Sequence, residues 1–180
     1  LRRSLLAYMA SPAFNPVSAL SGDQVGLLFR EVLAPVLSTG SARVVQADSQ
    51  DAASGNVAAH AIDGDPETFW CTQWVGEEPP FPHEIVIDMG REIRLAGFWL
   101  LPRQDGNSNG WFERGEFYVS NDMGSWGEPV IQAQFPATID EKRVMLPEPC
   151  AGRYIRLLAM DGISGKPWAA IAELDVIPAE

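Results

Sequence analysis

The chain of 180 residues is 46% hydrophobic and 21% charged, which is ordinary for a globular protein with one substantial core. Its formal net charge of −11 disfavours nucleic acid and anionic membrane surfaces as partners, because both attract clusters of Lys and Arg. No apolar stretch is long enough to cross a bilayer, so we expect no membrane insertion.

The charge balance changes near residue 40. Residues 1–40 carry three basic and two acidic residues (3 − 2 = +1), whereas residues 41–180 carry ten basic and 22 acidic residues (10 − 22 = −12). The first part also has a helical apolar pattern, with Ser21 as a plausible N-cap and Pro35 near its end. We therefore predict that residues 1–40 are the helical tail of a preceding module, or a linker, with a dimerisation arm as the alternative. Residues 41–180 are predicted to form the main domain.

From residue 42 onward, short apolar runs are separated by Gly, Pro, Asn and Asp, which is the pattern of β-strands and turns. The run 84–89 is the clearest, because Ile85, Ile87 and Met89 alternate on one face. Eight strands are predicted, at residues 43–46, 84–89, 93–101, 116–120, 130–135, 143–146, 153–160 and 170–177. This number and spacing of strands favours an antiparallel β-sandwich.

Residues 61–74 combine hard oxygen ligands with aromatic side chains. Asp63, Asp65 and the Thr68 hydroxyl are spaced i, i+2 and i+5 around an Asp-Gly-Asp-Pro turn, followed by two tryptophans among polar residues. Such a turn can direct oxygens toward Ca²⁺, and such aromatics can stack on a sugar. A metal-free turn with aromatics in the core fits this segment equally well, so both interpretations stay open here.

Seven blocks of the sequence resemble a coagulation-factor type C (discoidin) domain, and within that superfamily the bacterial carbohydrate-binding module family 32. They are Ala-Ile-Asp-Gly-Asp-Pro-Glu-Thr-Phe-Trp (61–70), Thr-Gln-Trp (72–74), Ile-Asp-Met-Gly (87–90), Leu-Pro-Arg-Gln-Asp-Gly (101–106), Tyr-Val-Ser-Asn-Asp (118–122), Gly-Arg-Tyr-Ile-Arg-Leu (152–157) and Trp-Ala-Ala-Ile-Ala-Glu-Leu (168–174). The resemblance implies an all-β, discoidin-like (galactose-binding-domain-like) jelly-roll β-sandwich. It also implies glycan binding through loops at one end, without catalysis.

The same resemblance implies a structural Ca²⁺ as the cofactor. The positions that match the family's ligands are the carbonyl of His60, the carboxylate of Asp63, Asp65, the oxygens of Thr68, the carbonyl of Ala172 and the carboxylate of Glu173. An all-oxygen set of this kind suits Ca²⁺. Glu173 lies in an otherwise apolar run, where an unpaired carboxylate would be costly unless a cation bound it.

A sugar-binding site is also implied. The residues that the resemblance places there are Trp74, Arg103, Asn109, Trp168, Cys71 and Asn107. An aromatic ring such as Trp74 would stack on the sugar, and Arg103 would donate hydrogen bonds to its hydroxyls. Galactose-binding members have His where this chain has Cys71, and a thiol is a poor substitute for imidazole, so galactose specificity does not follow. Two alternatives stay open: Trp74 in the core, and Arg103 in a structural ion pair with Asp105.

We therefore expect a non-catalytic module of a secreted, periplasmic or cell-surface bacterial protein, which binds glycans and targets an attached glycoside hydrolase. One alternative is a discoidin-type adhesion module for protein or lipid, but apolar loops flanked by basic residues would be required, and these loops are acidic. The other is an enzyme. His60 and His83 are the only imidazoles and match no catalytic motif, although the 24 acidic residues could supply two glycosidase carboxylates.

Overall fold

A six-stranded antiparallel sheet is the framework of the domain, which the computed structural model describes for residues 34–179. The strands, in chain order, are β1 (Arg43–Ala47), β2 (Trp70–Cys71), β3 (His83–Leu101), β4 (Arg114–Ser120), β5 (Ile131–Gln134), β6 (Lys142–Ala159), β7 (Ala170–Ile171) and β8 (Glu173–Pro178). Two short 3-10 helices, Ala52–Ser54 and Ala58–Ile62, lie between β1 and β2. No helix in this part of the chain has the length and apolar character needed to span a membrane.

The two longest strands, β3 and β6, organise the fold. The large sheet has the order β1-β3-β6-β4-β5, and β8 pairs with the second half of β3. The register of β3 against β6 shifts between Asp88 and Ile93, where Gly90 adopts a positive φ of 76°. This shift lets β3 pair with β1 before the bend and with β8 after it, so that one strand serves both parts of the sheet.

Several strand boundaries differ from those predicted. Residues 84–89 and 93–101 belong to one strand, as do 143–146 and 153–160, because pairing between β3 and β6 continues through the irregularities. The predicted strand 170–177 is divided at Ala172 into β7 and β8. Strand β2 was not predicted, because two residues are too few to show an alternating pattern. The antiparallel, all-β architecture itself is as predicted.

The core contains stacked aromatic rings and the buried faces of the long strands. Phe98 of β3 and Phe117 of β4 stack with their ring centroids 4.5 Å apart, and both side chains are at most 1% exposed. Trp70 is also buried, and its indole N–H donates to the Ser49 carbonyl at 3.0 Å. The Trp70 side chain therefore packs in the core and anchors β2, which leads to the candidate site.

The compact unit begins at Ala34, earlier than the predicted domain boundary between residues 40 and 41. The reason is that Leu37 is 2% exposed and belongs to the core, and the backbone N–H groups of Val36 and Leu37 donate to the Asp175 carboxylate. The change in charge balance near residue 40 did not reveal this packing. The predicted N-terminal helix lies mostly outside the described residues and stays a prediction.

Candidate functional site

A cavity of about 140 Å³ lies among β2, the β3–β4 loop and the segment that precedes β7. Its lining residues are Asn56, Cys71, Trp74, Arg103, Asn107, Asn109 and Trp168. All six residues assigned to the sugar site from the sequence therefore line one cavity, although three separate segments supply them. Asn56 was not predicted, because it lies in none of the blocks that resemble the discoidin family.

The β3–β4 loop is shaped by its own side chains. The Asp105 carboxylate accepts a hydrogen bond from the Asn107 N–H at 3.2 Å, and the Asn107 side-chain oxygen accepts one from the Asn109 N–H at 2.9 Å. Short polar side chains that bond to the backbone two residues later stabilise tight turns. These bonds hold Asn107 and Asn109 at the cavity.

Gly110 joins this loop to β7 by a close approach of the two backbones. The Ala170 N–H donates to the Gly110 carbonyl at 2.8 Å, and a Cβ at position 110 would lie 2.7 Å from the Cβ of Ala170. Gly110 also has a positive φ of 90°, which L side chains rarely adopt. A side chain at this position would therefore push the loop away from β7.

The Arg103 guanidinium is fixed on several sides. Its Nε and Nη2 atoms donate to the two oxygens of Asp105 at 2.9 and 2.5 Å, and Nη1 donates to the Asn109 carbonyl at 3.3 Å. The Phe69 ring lies 4.2 Å from the guanidinium carbon, and the Arg103 side chain is only 13% exposed. The ion pair lowers the pKa of Asp105, and the hydrogen bond from Arg103 is the largest cause.

The two interpretations of Arg103 are therefore compatible, since Asp105 holds the same guanidinium that lines the cavity. A guanidinium has five N–H donors, and the hydrogen bonds to Asp105 and Asn109 use three of them. The other two N–H donors have no hydrogen-bond partner within residues 34–179. Because the side chain is already held in place, a ligand would not have to order it.

Two tryptophans form an aromatic corner of the cavity. Trp74 is 42% exposed, so the alternative that places it in the core is wrong. Its ring centroid lies 5.9 Å from that of Trp168, with the planes tilted by 54°. The indole N–H of Trp168 is buried and has no acceptor among residues 34–179. This corner offers the exposed aromatic face of Trp74 at the edge of the cavity.

His83 holds the backbone directly before Trp168. Its Nδ1 lies 2.7 Å from the Asp48 carboxylate, and its Nε2 lies 2.8 Å from the Pro167 carbonyl, directly before Trp168. The ring is fully buried, and both nitrogens face oxygen acceptors. His83 therefore has a structural role and does not reach the cavity.

Cys71 closes the bottom of the cavity as a buried, neutral thiol. It is 1% exposed in β2, where it pairs with Ala170 of β7. Burial raises the pKa of Cys71 to about 11, so the thiolate is not formed near neutral pH. Both Cys71 and Cys150 are free thiols.

A second cluster of polar groups lies at Asp63, Thr68 and Glu173. The Thr68 hydroxyl donates to the Asp63 carboxylate at 2.8 Å, and the other Asp63 oxygen accepts from the Asp65 N–H at 2.9 Å. Glu173 is only 6% exposed, and one of its carboxylate oxygens has no hydrogen-bond partner in the described chain. Burial, followed by the nearby Asp63 carboxylate, raises the pKa of Glu173 to about 8.

This cluster fits the predicted cation ligands in part. An orphaned carboxylate oxygen on Glu173 beside Asp63 is the arrangement that a bound cation would relieve. The Asp65 carboxylate accepts from the Glu67 N–H at 3.0 Å within the loop. Nowhere in residues 34–179 do three or more His, Cys, Asp or Glu side chains form a metal-binding group. A cation here would therefore depend on two carboxylates, the Thr68 hydroxyl and backbone carbonyls such as those of His60 and Ala172.

The fold and the cavity can now be compared with known proteins. The model of the F5/8 type C domain matches residues 44–174. The chain belongs to the F5/8 type C domain family. This confirms the resemblance found in the sequence and the predicted fold class, a discoidin-like jelly-roll β-sandwich.

Relatives of this domain occur in proteins that act on or bind sugars. A galactose oxidase of Gibberella zeae is 40% identical over 147 residues, which are 81% of this chain and 22% of that protein. The C-terminal domain of a chitobiase from Bacteroides fragilis is 33% identical with a TM-score of 0.71, covering 81% of this chain and 98% of the other. A family 32 carbohydrate-binding module from Clostridium perfringens, solved with galactose, is 26% identical with a TM-score of 0.67, covering 79% and 96%.

The chain spans about a fifth of the length of the curated oxidase that it matches. Several of the matched structures are family 32 carbohydrate-binding modules, and such modules are non-catalytic accessory domains of larger enzymes. This agrees with the prediction that the domain itself is not an enzyme.

Proposed function

We propose that this domain is a non-catalytic carbohydrate-binding module that holds a sugar in the cavity beside Trp74. The observation that carries the proposal is the joint presence, in one cavity, of an exposed aromatic face and a fixed guanidinium with donors to spare. The apolar face of a sugar ring would stack on Trp74, while its hydroxyls would accept hydrogen bonds from Arg103. Asn107 and Asn109 would add amide groups that can both donate and accept.

The dimensions of the cavity favour a single sugar unit. Its volume of about 140 Å³ is well below the roughly 300–1,000 Å³ of sites that enclose drug-sized molecules. We therefore propose that the ligand is a terminal sugar of a glycan and that the rest of the glycan extends into solvent. Cys71, where galactose-binding members have imidazole, leaves the identity of that sugar to experiment.

The remaining parts of the proposal concern the protein around the domain. We propose that the domain directs an attached carbohydrate-active enzyme to its substrate outside the bacterial cell, as expected from the resemblance. We also propose that Asp63, Thr68 and Glu173, with the carbonyls of His60 and Ala172, hold a structural Ca²⁺. Such an ion would neutralise the two carboxylates and connect β8 to the loop after the second 3-10 helix.

A protein- or lipid-binding adhesion module is the alternative. Its strongest support is the exposed pair Trp74 and Val75, 42% and 47% exposed, which could contact an apolar partner. Glu77 and Glu78 follow after Gly76 and would repel an anionic lipid surface. A contact with an apolar partner would not use the polar cavity beside Trp74. For this reason we favour glycan binding over protein or lipid binding.

The experiment is a glycan array probed with the full 180-residue chain, with hydrolysis and oxidation assayed on the same panel. We expect binding to a defined set of terminal sugars and no turnover. Arg103→Ala should weaken binding at least tenfold, by loss of charged hydrogen bonds. Arg114→Ala is the matched control, because Arg114 also pairs with an aspartate, Asp161, but lies outside the cavity. No binding to any glycan, or equal loss in both variants, would contradict the proposal.

A further inference from the structure

The pairing of β2 with β7 ends irregularly at Thr72. Cys71 lies opposite Ala170, and in the next pair the Thr72 N–H donates to the Ala169 carbonyl at 2.9 Å. In a regular hydrogen-bonded pair of antiparallel strands, the Ala169 N–H would donate back to the Thr72 carbonyl. It donates instead to the Thr72 hydroxyl, at 3.0 Å. A side-chain oxygen therefore takes the place of a backbone carbonyl where the two strands separate.

The two segments lead from this pair directly to the aromatic corner of the cavity. Trp74 follows two residues after Thr72, and Trp168 directly precedes Ala169. The ring centroids of the two tryptophans lie 5.9 Å apart, with the planes tilted by 54°. The spacing of the two backbones at Thr72 and Ala169 therefore determines the points from which both rings project.

The Thr72 hydroxyl acts on the backbone and not on a ligand. Thr72 and Ala169 are both 0% exposed, and neither lines the cavity. A buried N–H without an acceptor is costly to the fold. Without the hydroxyl, the Ala169 N–H would stay unpaired and its segment would loosen, or the segment would turn to reach the Thr72 carbonyl. Both outcomes would move Trp168 relative to Trp74.

The other contact of this segment has a different effect. The Nε2 atom of His83 lies 2.8 Å from the Pro167 carbonyl, which ties the backbone before Trp168 to β3. This contact does not involve the segment that carries Trp74. Thr72 connects the backbones of the two tryptophan segments to each other, so its hydroxyl has the more direct influence on the distance between their rings.

We propose that Thr72 is a positioning residue of the sugar site, whose hydroxyl sets the separation and tilt of the Trp74 and Trp168 rings. The inference rests on the proposed carbohydrate-binding function, and it assigns part of the affinity to a residue that the sugar does not touch. A sugar that stacks on Trp74 beside Trp168 needs both rings at matching distances. The hydroxyl holds them there before the sugar binds, so binding does not have to order the corner.

The first test compares Thr72→Val with Thr72→Ser by NMR of the full chain without ligand. Valine keeps the branched shape and lacks the hydroxyl, whereas serine keeps the hydroxyl. We expect Thr72→Val to shift the indole N–H signals of Trp74 and Trp168 and to speed hydrogen exchange of the Ala169 amide at least tenfold. Thr72→Ser should retain the wild-type signals and slow exchange. Thr72→Ala replaces Thr72→Val if the valine variant does not fold.

The second test measures binding by NMR titration with galactose, N-acetylgalactosamine, glucose and N-acetylglucosamine. The tightest ligand on the glycan array is used if none of the four binds. Thr72→Val should bind about fivefold more weakly than the wild type, the factor expected for one lost aromatic contact. Thr72→Ser should bind within about twofold of the wild type. Ile155→Val is the control for lost stability alone, because Ile155 is a core residue of β6, 2% exposed, and should leave the affinity unchanged.

The outcomes separate this inference from the proposed function. Wild-type tryptophan signals or wild-type affinity in Thr72→Val would overturn the positioning role and leave carbohydrate binding intact. Equal losses in Thr72→Val and Thr72→Ser, or an equal loss of affinity in Ile155→Val, would do the same. A wild-type chain that binds none of the four sugars and no glycan on the array would overturn the proposed function, and this inference with it.

Discussion

The carboxylate of Asp175 accepts a hydrogen bond from the backbone N–H of Leu37, 138 residues earlier in the chain, at 3.0 Å. A second bond, from the Val36 N–H at 2.7 Å, fixes the same segment to β8. Asp175 and Leu37 are each 2% exposed, so this contact lies inside the core. The segment that enters the domain is therefore part of the fold.

Asp175→Ala should destabilise the domain, because it removes the acceptor of the Val36, Leu37 and Val176 N–H groups, of which the last two are buried. We expect the free energy of unfolding to fall by about 2–4 kcal/mol, measured by urea denaturation of the full chain. Glu148→Ala, at an exposed position, is the control and should change it by no more than about 0.5 kcal/mol. Similar unfolding curves for the two variants would show that residues 34–37 are not held as described.

Removal of Ca²⁺ should lower the melting temperature, because an ion bound only to the folded state stabilises it by mass action. Glu173→Gln should lower the melting temperature in calcium and abolish the response to chelator. Glu148→Gln should keep the full response. An unchanged melting curve in chelator, for protein shown by elemental analysis to be metal-free, would exclude a structural cation.

Gly110→Ala should damage the fold and the cavity together, because the added methyl group meets Ala170 and the positive φ disfavours a side chain. We expect a loss of about 2–4 kcal/mol in unfolding free energy and at least tenfold weaker glycan binding. Gly127→Ala is the matched control: Gly127 also has a positive φ, 65°, but open space around it. The free energy of unfolding of Gly127→Ala should fall by only about 1 kcal/mol, and the variant should retain glycan binding. Equal losses of stability and of glycan binding in both variants would show that neither depends on the close approach of the β3–β4 loop to β7.

Protonation of the Asp88 carboxylate should lower the free energy of unfolding in acid. A hydrogen bond from the Arg153 guanidinium is the largest cause that lowers the pKa of this buried carboxyl, which falls from 3.8 to about 2. Since the folded pKa is below the unfolded one, this stabilisation is complete above about pH 4 and is lost as the pH falls toward 2. Its size is about 1–2 kcal/mol, because Arg153 is partly exposed and solvent screens the pair.

Arg153→Gln should remove the largest part of this contribution, while Arg43 and the Gly90 N–H still contact the Asp88 carboxylate. The variant should be less stable than the wild type at pH 5, and the difference should shrink at pH 2.5, as measured by urea unfolding at both pH values. A difference that is the same at both would mean that Arg153 acts by packing and not through the Asp88 carboxylate.

Several site residues could be predicted because they lie in contiguous blocks with recognisable neighbours. Arg103, Asn109 and Trp168 are examples, and the structure brings them to one cavity. Glu173 could be singled out physically, since a carboxylate in an apolar run must be paired or bound. The exposed state of Trp74 could not be decided, because exposure depends on how β2 packs against β7.

Other features could not be derived from local pattern. Asp51 and Asn56 belong to a turn whose backbone bonds to Cys71, and no periodicity or motif marks such a contact. The burial of Leu37 depends on a carboxylate in the last strand, far along the chain. The Asp65 carboxylate accepts a hydrogen bond from its own loop, and the spacing of the acidic residues alone does not predict this hydrogen bond.

The most direct test of the central claim is an NMR titration that follows the indole N–H signals of the six tryptophans as a glycan identified on the array is added. Trp74 and Trp168 line the cavity, whereas Trp70 is buried in the core and Trp126 lies outside the cavity lining. Binding in the cavity predicts saturable shifts of the Trp74 and Trp168 signals, with those of Trp70 and Trp126 unchanged. Shifts at Trp126 alone, or no shift at Trp74 and Trp168 with the glycan bound, would contradict the account.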